Sequence, residues 1–426
     1  MKNNVNFIDI SFFLFLLVTS PLFFFPQLKF IPIFLITPFF FLARYIKYRS
    51  FFEPTVVNFS VAIISAGILA TCFISPDIEY GLPKIAGALY GVLFFLALVN
   101  ILKNEKIIFA ALMAFIFAGI LLSTVGVAGM IWNFETFLNK LFPIFWKVFP
   151  KASLKLPGAE AGINPNPLGG TLLWIMPVAY TLLVSLLDLN SEKESFLKRA
   201  KLAIFIYCLI ALYLMSVALF VSQSVGSWLG LALAIFIVLL LSGNWKKRIV
   251  VLVLFFLFIF GLSYRFTDKG KKSVLNGFIQ SKMESRLKFW TIGLKTIKEH
   301  PLVGIGMNRL RLHPEIGYES AHAHNHLIHT AAEMGLPVLI AYLSLLIGAG
   351  YMTAVIARKA QAPWMRAASL GLATGQLAHF FFGLTDSIPF GAKPGIFFWI
   401  SLALIASIYN YVVKKEEINR IGVEQK

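Results

Sequence analysis

The sequence predicts an all-α, polytopic integral membrane protein of about twelve transmembrane helices with one large, partly helical outer loop. Two observations predict it. Of 426 residues, 58% are hydrophobic and only 14% charged, whereas a soluble domain runs nearer half apolar and a quarter charged. Apolar blocks of roughly 20 residues, each matched to a ~30 Å hydrocarbon core, recur from end to end. Phe at 43 positions against 30 Gly and 19 Pro also excludes a disordered or collagen-like chain.

The blocks run approximately 8–25, 29–46, 56–75, 83–102, 107–131, 168–188, 201–222, 226–243, 249–264, 336–357, 366–385 and 395–413. They divide the chain into 1–131, with five helices; 132–167, an outer interfacial segment; 168–264, with helices six to nine; 265–335, the large outer loop; and 336–426, with helices ten to twelve and a tail. The first block follows a single Lys2 and lacks a small-residue cleavage site, so it is expected to be retained as a span. Cys72 and Cys208 fall inside apolar spans, which argues against a disulfide. The stretch 132–156 is aromatic, carries interspersed Lys and is broken by Pro143 and Pro150. It is expected to form short amphipathic helices in the outer interface, either as a closing aromatic belt or as a gate for a lipid substrate.

A net charge of +18 resembles a nucleic-acid footprint, but topology accounts for most of it. With the amino terminus inside, 20 of the 38 Lys and Arg residues fall in cytoplasmic segments, as the positive-inside rule requires. Both termini are therefore expected in the cytoplasm, the lipid bilayer is the expected partner, and no nucleic acid is. Among the outer segments, the short loops hold only Lys29, Lys84 and Lys393. Eleven cations lie in the long outer loop, where that rule weakens and another reason is needed. No internal repeat supports an inverted-repeat transporter.

Within that loop Met283, Leu287, Trp290, Leu294 and Ile297 recur at helical spacing, the stripe of an amphipathic helix ended by His300-Pro301. Gly304 and Gly306 allow a tight turn, Arg309 and Arg311 follow, and His322, His324, His326 and His329 then fall within eight residues. Guanidinium groups suit a phosphate or pyrophosphate, and His is the side chain most easily poised as a base near neutral pH. Arg and His beside a membrane fit attack by a hydroxyl on a phosphate-activated, lipid-carried group; the alternative is a solvated basic loop with structural histidines. In an extended segment His322, His324 and His326 share a face, whereas a helix clusters His322, His326 and His329. Such clusters can hold zinc or copper, but no carboxylate or Cys completes an obvious site, so no metal is expected. His300 is expected to cap its helix, and Asn164 and Asn166 to act as turn and cap residues. His379, inside a span, is a functional candidate, and Asp386 is expected to pair with an Arg of the long loop.

The stretch RLKFWTIGLKTIKEHPLVGIG, Arg286 to Gly306, followed by HAHNHLIHTAAEMGLP, resembles the signature of the O-antigen ligase/polymerase superfamily. The matching positions are Arg286, Trp290, His300-Pro301, Gly304, Gly306, His324-Asn325 and Gly335. INPNPLGGTLLWIMPVA, Ile163 to Ala179, is similar to a second family pattern at the start of a span. SQSVGSWLGL, Ser222 to Leu231, is similar to a third, with Val225 where the family carries an arginine; Val338 replaces a family glycine. The resemblance implies an inverting, metal-independent membrane glycosyltransferase, without a cofactor, at the outer face of the bacterial inner membrane. Its donor would be an undecaprenyl-diphosphate-linked glycan and its acceptor hydroxyl would belong to lipid A-core or to a growing glycan. His324 would be the general base and Arg286 would neutralise the departing diphosphate. Arg309, Arg311, Asn325 and Trp290 would contact substrate. A protein O-oligosaccharyltransferase shares the signature, a non-catalytic donor-binding protein is a further alternative, and a polysaccharide flippase or transporter is the rival from another class. Nearly charge-free spans, with the polar groups gathered in one outer loop, favour the enzyme.

Overall fold

Hydrocarbon offers backbone N–H and C=O groups no water, so a chain this apolar satisfies them locally as helix. A computed structural model describes residues 6–27, 35–75, 77–129, 162–187, 195–222, 224–241, 269–316 and 322–424, with backbone alone for 187, 195–199, 269–282 and 419–424. Thirteen α-helices form among the described residues: α1 (Phe7–Phe24), α2 (Thr37–Tyr48), α3 (Asn58–Ile74), α4 (Ile78–Ile101), α5 (Glu105–Gly129), α6 (Pro165–Leu187), α7 (Ser195–Val221), α8 (Val225–Leu241), α9 (Lys269–Glu299), α10 (His326–Met334), α11 (Leu336–Lys359), α12 (Pro363–Gly383) and α13 (Ile396–Glu424). Seven of these, α1, α4, α5, α6, α7, α11 and α13, are long and apolar enough to cross a membrane. Helices α3 and α8 are apolar but have 17 residues each, α2 has 12, and α12 carries Arg366, Gln376 and His379. The block at 249–264, the first part of the block at 29–46 and the interfacial stretch 132–156 lie outside the described residues.

Side chains from segments far apart in sequence meet at two opposite poles. At one pole Arg44 bonds Asp9 (Nε to Oδ1, 2.9 Å) and Glu53 (3.3 Å). Lys103 reaches Glu53 at 2.8 Å and Lys414 reaches it at 3.3 Å. Glu105 accepts from Trp364 and Tyr411, and Lys359 pairs with Glu416 at 2.7 Å. Arg44, Lys103, Lys359 and Lys414, all assigned to one side of the bilayer by the charge distribution, therefore share one pole. Burial raises the Glu53 carboxyl, but Lys103 and then Lys414 outweigh it and hold the group below its ordinary range.

At the other pole the starts of α6 and α8 and the end of α12 converge. Glycine makes this approach possible. A Cβ at Gly375 would lie 2.7 Å from the Trp174 carbonyl oxygen, and one at Gly371 would lie 2.6 Å from Val178 Cα. Gly230 abuts the Ala378 carbonyl, and Gly170 abuts the Phe382 ring. Small residues at such positions let helix backbones touch where lipid supplies no hydrophobic drive. His379 pins the contact: its ring stacks on Trp174 with centroids 3.7 Å apart, and Nδ1 donates to the Gly170 carbonyl at 3.1 Å.

The loop that follows α9 folds back on the α10–α11 junction, backbone against backbone. Ile305 N–H donates to the Ala332 carbonyl, Gly306 N–H to that of Glu333, and Leu336 N–H to that of Pro301. Gly304 (φ +66°), Gly306 (φ +97°) and Gly335 (φ +86°) adopt left-handed backbone there, and a Cβ at Gly335 would stand 2.2 Å from the Leu302 carbonyl oxygen. Buried Glu333 clasps the turn from inside, accepting from Asn308 N–H at 2.9 Å and Leu310 N–H at 3.1 Å. Burial raises this carboxyl, but the neighbouring His329 and the two backbone donors hold it below its ordinary range.

The packing of α9 corrects one sequence expectation. Met283, Leu287 and Leu294 of the expected apolar stripe are 50%, 51% and 57% exposed, while Trp290 and Ile297 are half-buried. The buried face is Phe289, Ile292, Gly293 and Thr296. Both faces are apolar enough to be buried, and Gly293 decides between them because its missing side chain admits Ile328 of α10. The helix also begins at Lys269, well before the periodic stretch.

Three outcomes follow. Gly375→Ala should destabilise the bundle by about 1–3 kcal/mol through overpacking, whereas Gly350→Ala, whose Cβ meets nothing within 4 Å, should be neutral or stabilising by up to ~1 kcal/mol; unfolding in mixed micelles compares them. Because the Glu53 carboxyl is lowered on folding, its contribution is present above the unfolded carboxylate range and lost as pH falls through the folded value. The acid limb of a stability–pH curve should therefore flatten in Glu53→Gln. Glu333→Ala strands two buried N–H groups at about 1–3 kcal/mol each, so limited proteolysis should accelerate first in 300–335.

Candidate functional site

The site is built where the segment preceding α10 crosses the end of α12. His326–Met334 starts as helix because Asn325 caps it: Oδ1 accepts from Leu327 N–H at 3.0 Å and Ile328 N–H at 3.1 Å. The Asn325 amide also donates to the Leu384 carbonyl at 3.4 Å, which ties the cap to the end of α12. The Asn of the His-Asn pair thus has its side chain in structural bonds, although the sequence assigns it to substrate. Immediately before the cap, His324 adopts φ +52°, a left-handed conformation that costs a non-glycine residue about 1–3 kcal/mol and clusters at functional sites. That conformation turns its ring toward Asp386.

Asp386 is the hub. Its Oδ1 lies 3.2 Å from His324 Nδ1 and 3.6 Å from His322 Nε2, and it accepts from Ser387 N–H at 2.8 Å. Its sequence-expected partner was an arginine of the long loop; the partners here are histidines of that loop. A buried carboxylate needs hydrogen-bonded partners, and two rings and an amide reach it. Burial alone would raise the Asp386 carboxyl, but the His324 bond, the two imidazoles and the Ser387 N–H outweigh burial and hold it below its ordinary range. His322 is driven the other way. Burial pushes its imidazole down to about 3 against the pull of Asp386, with His324, His329 and Lys84 adding to the depression. It is therefore neutral at neutral pH. Its Nδ1 accepts the His324 backbone N–H at 3.3 Å, which directs Nε2–H to Asp386.

The remaining histidines are structural supports. His326 lies buried against Ser387 (Nδ1 to Oγ, 3.3 Å) and edge-on to Tyr342, and burial holds its imidazole well below the ordinary value. His329 Nε2 reaches Glu333 at 3.3 Å. The four loop histidines thus divide into a non-helical pair, His322 and His324, around Asp386 and a helical pair inside α10. His379 belongs to the α6–α12 contact. His300 lies exposed just past the end of α9, and Asn164 makes the expected turn by accepting from Asn166 N–H at 3.0 Å.

Helix α9 and the loop that follows it carry the sequence-predicted cations and tryptophan. Phe289 of α9 stacks on His324 with ring centroids 6.0 Å apart, and Arg286, half-buried, precedes it by about one turn on the same helix. The indole nitrogen of Trp290 is buried with no hydrogen-bond partner among the described residues. Arg309 packs beside Gly306, and the Arg311 guanidinium sits 6.0 Å over the Tyr80 ring. Asn308, at φ +65°, donates to the Tyr80 carbonyl at 3.0 Å, which docks the loop on the start of α4. Three contributors escaped sequence reasoning. Glu333 stands in an apolar run with no motif around it, His322 was weighed only as part of a His cluster, and Lys84 was assigned to a short outer loop. In the fold Lys84 lies close enough for its charge to act on His322 and Glu333. Only its place at the start of an outer-facing helix hinted at this.

No curated protein matches the chain. Residues 210–343, from within α7 to the first turns of α11, match the family model described as O-Antigen ligase. The matched region contains α9, the Gly304–Gly306 turn and the His322–His326 segment, while Asp386 and Lys84 come from outside it. Over residues 210–343, the stretch that carries the signature loop, the chain is similar to the O-antigen ligase family.

Proposed function

We propose that the protein is a bacterial inner-membrane glycosyltransferase that moves a glycan from undecaprenyl diphosphate to a hydroxyl acceptor at the outer face. In this reading both termini lie in the cytoplasm and about twelve spans carry the loop. The observation that carries the mechanism is the bond between His324 Nδ1 and Asp386. With its Nδ1 proton held by the carboxylate, the ring keeps the Nε2 lone pair for an incoming O–H, and Asp386 stabilises the imidazolium that results. A base oriented by a third group is the recurrent arrangement for activating a hydroxyl.

The acceptor oxygen attacks the anomeric carbon from the face opposite the diphosphate. The new C–O bond forms as the C–O bond to phosphate breaks, and configuration inverts. The hydroxyl proton passes to His324 Nε2, and the bonding pair leaves with undecaprenyl diphosphate. A diphosphate is already a good leaving group, so cations can stand in for a general acid. Arg286 takes that role, with Arg309 and Arg311 on the opposite side of the turn. The Trp290 N–H, which has no hydrogen-bond partner among the described residues, is a donor for sugar or phosphate oxygen. The family arginine position is Val225, exposed at the first residue of α8, so this chain draws its cations from α9 and the loop. No carboxylate pair of the glycosidase kind is needed, and the mechanism calls for no metal. Acceptors of the lipid A-core or glycan type are favoured over a protein Ser or Thr.

The test is transfer of labelled lipid-linked glycan in proteoliposomes. His324→Ala should lower kcat by on the order of 10²–10⁴-fold. Asp386→Asn should lower kcat with KM little changed, and Arg286→Ala should cost ~10²–10³-fold. Undiminished transfer by both His324→Ala and Arg286→Ala would overturn the mechanism.

A further inference from the structure

We infer that His322, His324 and Asp386 form a site for a divalent transition-metal ion of the zinc type, and that the ion competes with the base rather than serving it. The ligand set is two imidazoles and one carboxylate, a combination suited to such ions. One ligand atom from each residue lies within 4.8 Å of the others. In a tetrahedral zinc site, metal–ligand distances of about 2.0–2.1 Å put neighbouring ligand atoms roughly 3.3–3.5 Å apart. The two edges that meet at Asp386 Oδ1 measure 3.2 Å and 3.6 Å, close to that spacing, and the two ring nitrogens lie within 4.8 Å of each other. The side chains of His322 and His324 are 17% and 29% exposed, enough for solvent to supply the remaining ligand. The frame is fixed from outside: Ser387 N–H holds Asp386, and Phe289 lies against the His324 ring. Orientation of ligands by surrounding groups is what distinguishes a built site from a chance cluster.

The protons balance without an external base. Each neutral ring has one N–H, and coordination moves it to the nitrogen away from the ion. For His324 that places the proton on Nε2. For His322 it places the proton on Nδ1, which releases the long bond from the His324 amide. A ring protonated at Nε2 cannot accept the acceptor hydroxyl's proton, so the loaded protein is inactive in the transfer proposed above. This consequence, unlike the site itself, rests on that reading.

The experiment uses the full chain without an affinity tag, in nanodiscs, titrated first with Co²⁺ alone and then with Zn²⁺. One equivalent of Co²⁺ should give the visible bands of a low-coordinate site, and Zn²⁺ should bleach them. His322→Ala and Asp386→Asn should each weaken binding by ~10–100-fold or more, while His313→Ala should leave it unchanged; thermal melting verifies that each variant is folded, and either ligand variant alone suffices. No stoichiometric band in the parent chain, or an unaltered band in a folded ligand variant, overturns the site. Zinc should also inhibit transfer by the parent chain. Binding at this site without inhibition overturns the assignment of His324 as base and leaves the site standing. Absence of binding, with transfer still lost in His324→Ala, overturns the site and leaves the base standing.

Discussion

A carboxylate buried at the end of a membrane-embedded bundle has to find donors within reach, and Asp386 finds them in a different part of the chain. Its bond to His324 and the approach of the His322 ring to 3.6 Å attach the long loop to α12. The carboxylate is only as well placed as its helix. α12 is held by glycine contacts on two sides, at Gly371 and Gly375 against α6 and at Gly230 and Gly226 of α8 against its outer end. Helix packing and site chemistry are therefore one problem, since a shift of α12 moves the acceptor of both imidazoles.

Glu333 solves the complementary problem from inside the loop. Asp386 receives side chains, whereas Glu333 receives two backbone N–H groups and His329. It therefore fixes the path of the chain through Asn308 and Leu310, next to Arg309 and Arg311. The signature glycines have the same purpose. Gly304, Gly306 and Gly335 are conformational and steric requirements of two backbones in contact, which any catalytic or non-catalytic version of this loop would share. His324 differs because its left-handed backbone is imposed on a residue with a side chain. The Asn325 cap on one side and Asp386 on the other offset that cost.

Much of the architecture was legible because hydropathy is a one-dimensional signal. Among the described residues helices fill ten of the expected blocks and the second part of another, seven of them long and apolar enough to cross a membrane, and Arg44, Lys103, Lys359 and Lys414 meet at one pole. The His-Asn motif lies in the segment that meets Asp386. What stayed hidden was pairing across long sequence separations. His324 and Asp386 are 62 positions apart, and no local pattern says whether a carboxylate at a helix end will meet a guanidinium or an imidazole. The face of α9 was misassigned for a related reason. Periodicity identifies an apolar stripe, but where two stripes compete the partner decides, and the partner's contribution was Ile328 at the gap left by Gly293. Asn325 shows a third limit, because motif membership does not separate a residue that touches substrate from one that holds the motif's backbone in place.

The charge of +18 acquires two distinct meanings in three dimensions. At one pole Arg44, Lys103, Lys359 and Lys414 are bonded to Asp9, Glu53 and Glu416, so these cations tie helix ends together. At the other pole the carboxylates, Asp386 and Glu333, are occupied by imidazoles and backbone donors. Arg309 and Arg311 lie on a stretch whose path Glu333 fixes through Asn308 and Leu310, and Arg286 lies on α9, whose Phe289 stacks on His324. Substitution of Val225 for the family arginine is compatible with such an arrangement. Position 225 begins α8 and is 59% exposed, at the edge of the site, whereas the charge near His322 comes from Lys84 on α4, a helix that the loop itself recruits through Asn308 and Tyr80. The contacts that dock the loop on α4 thus also bring Lys84 toward His322.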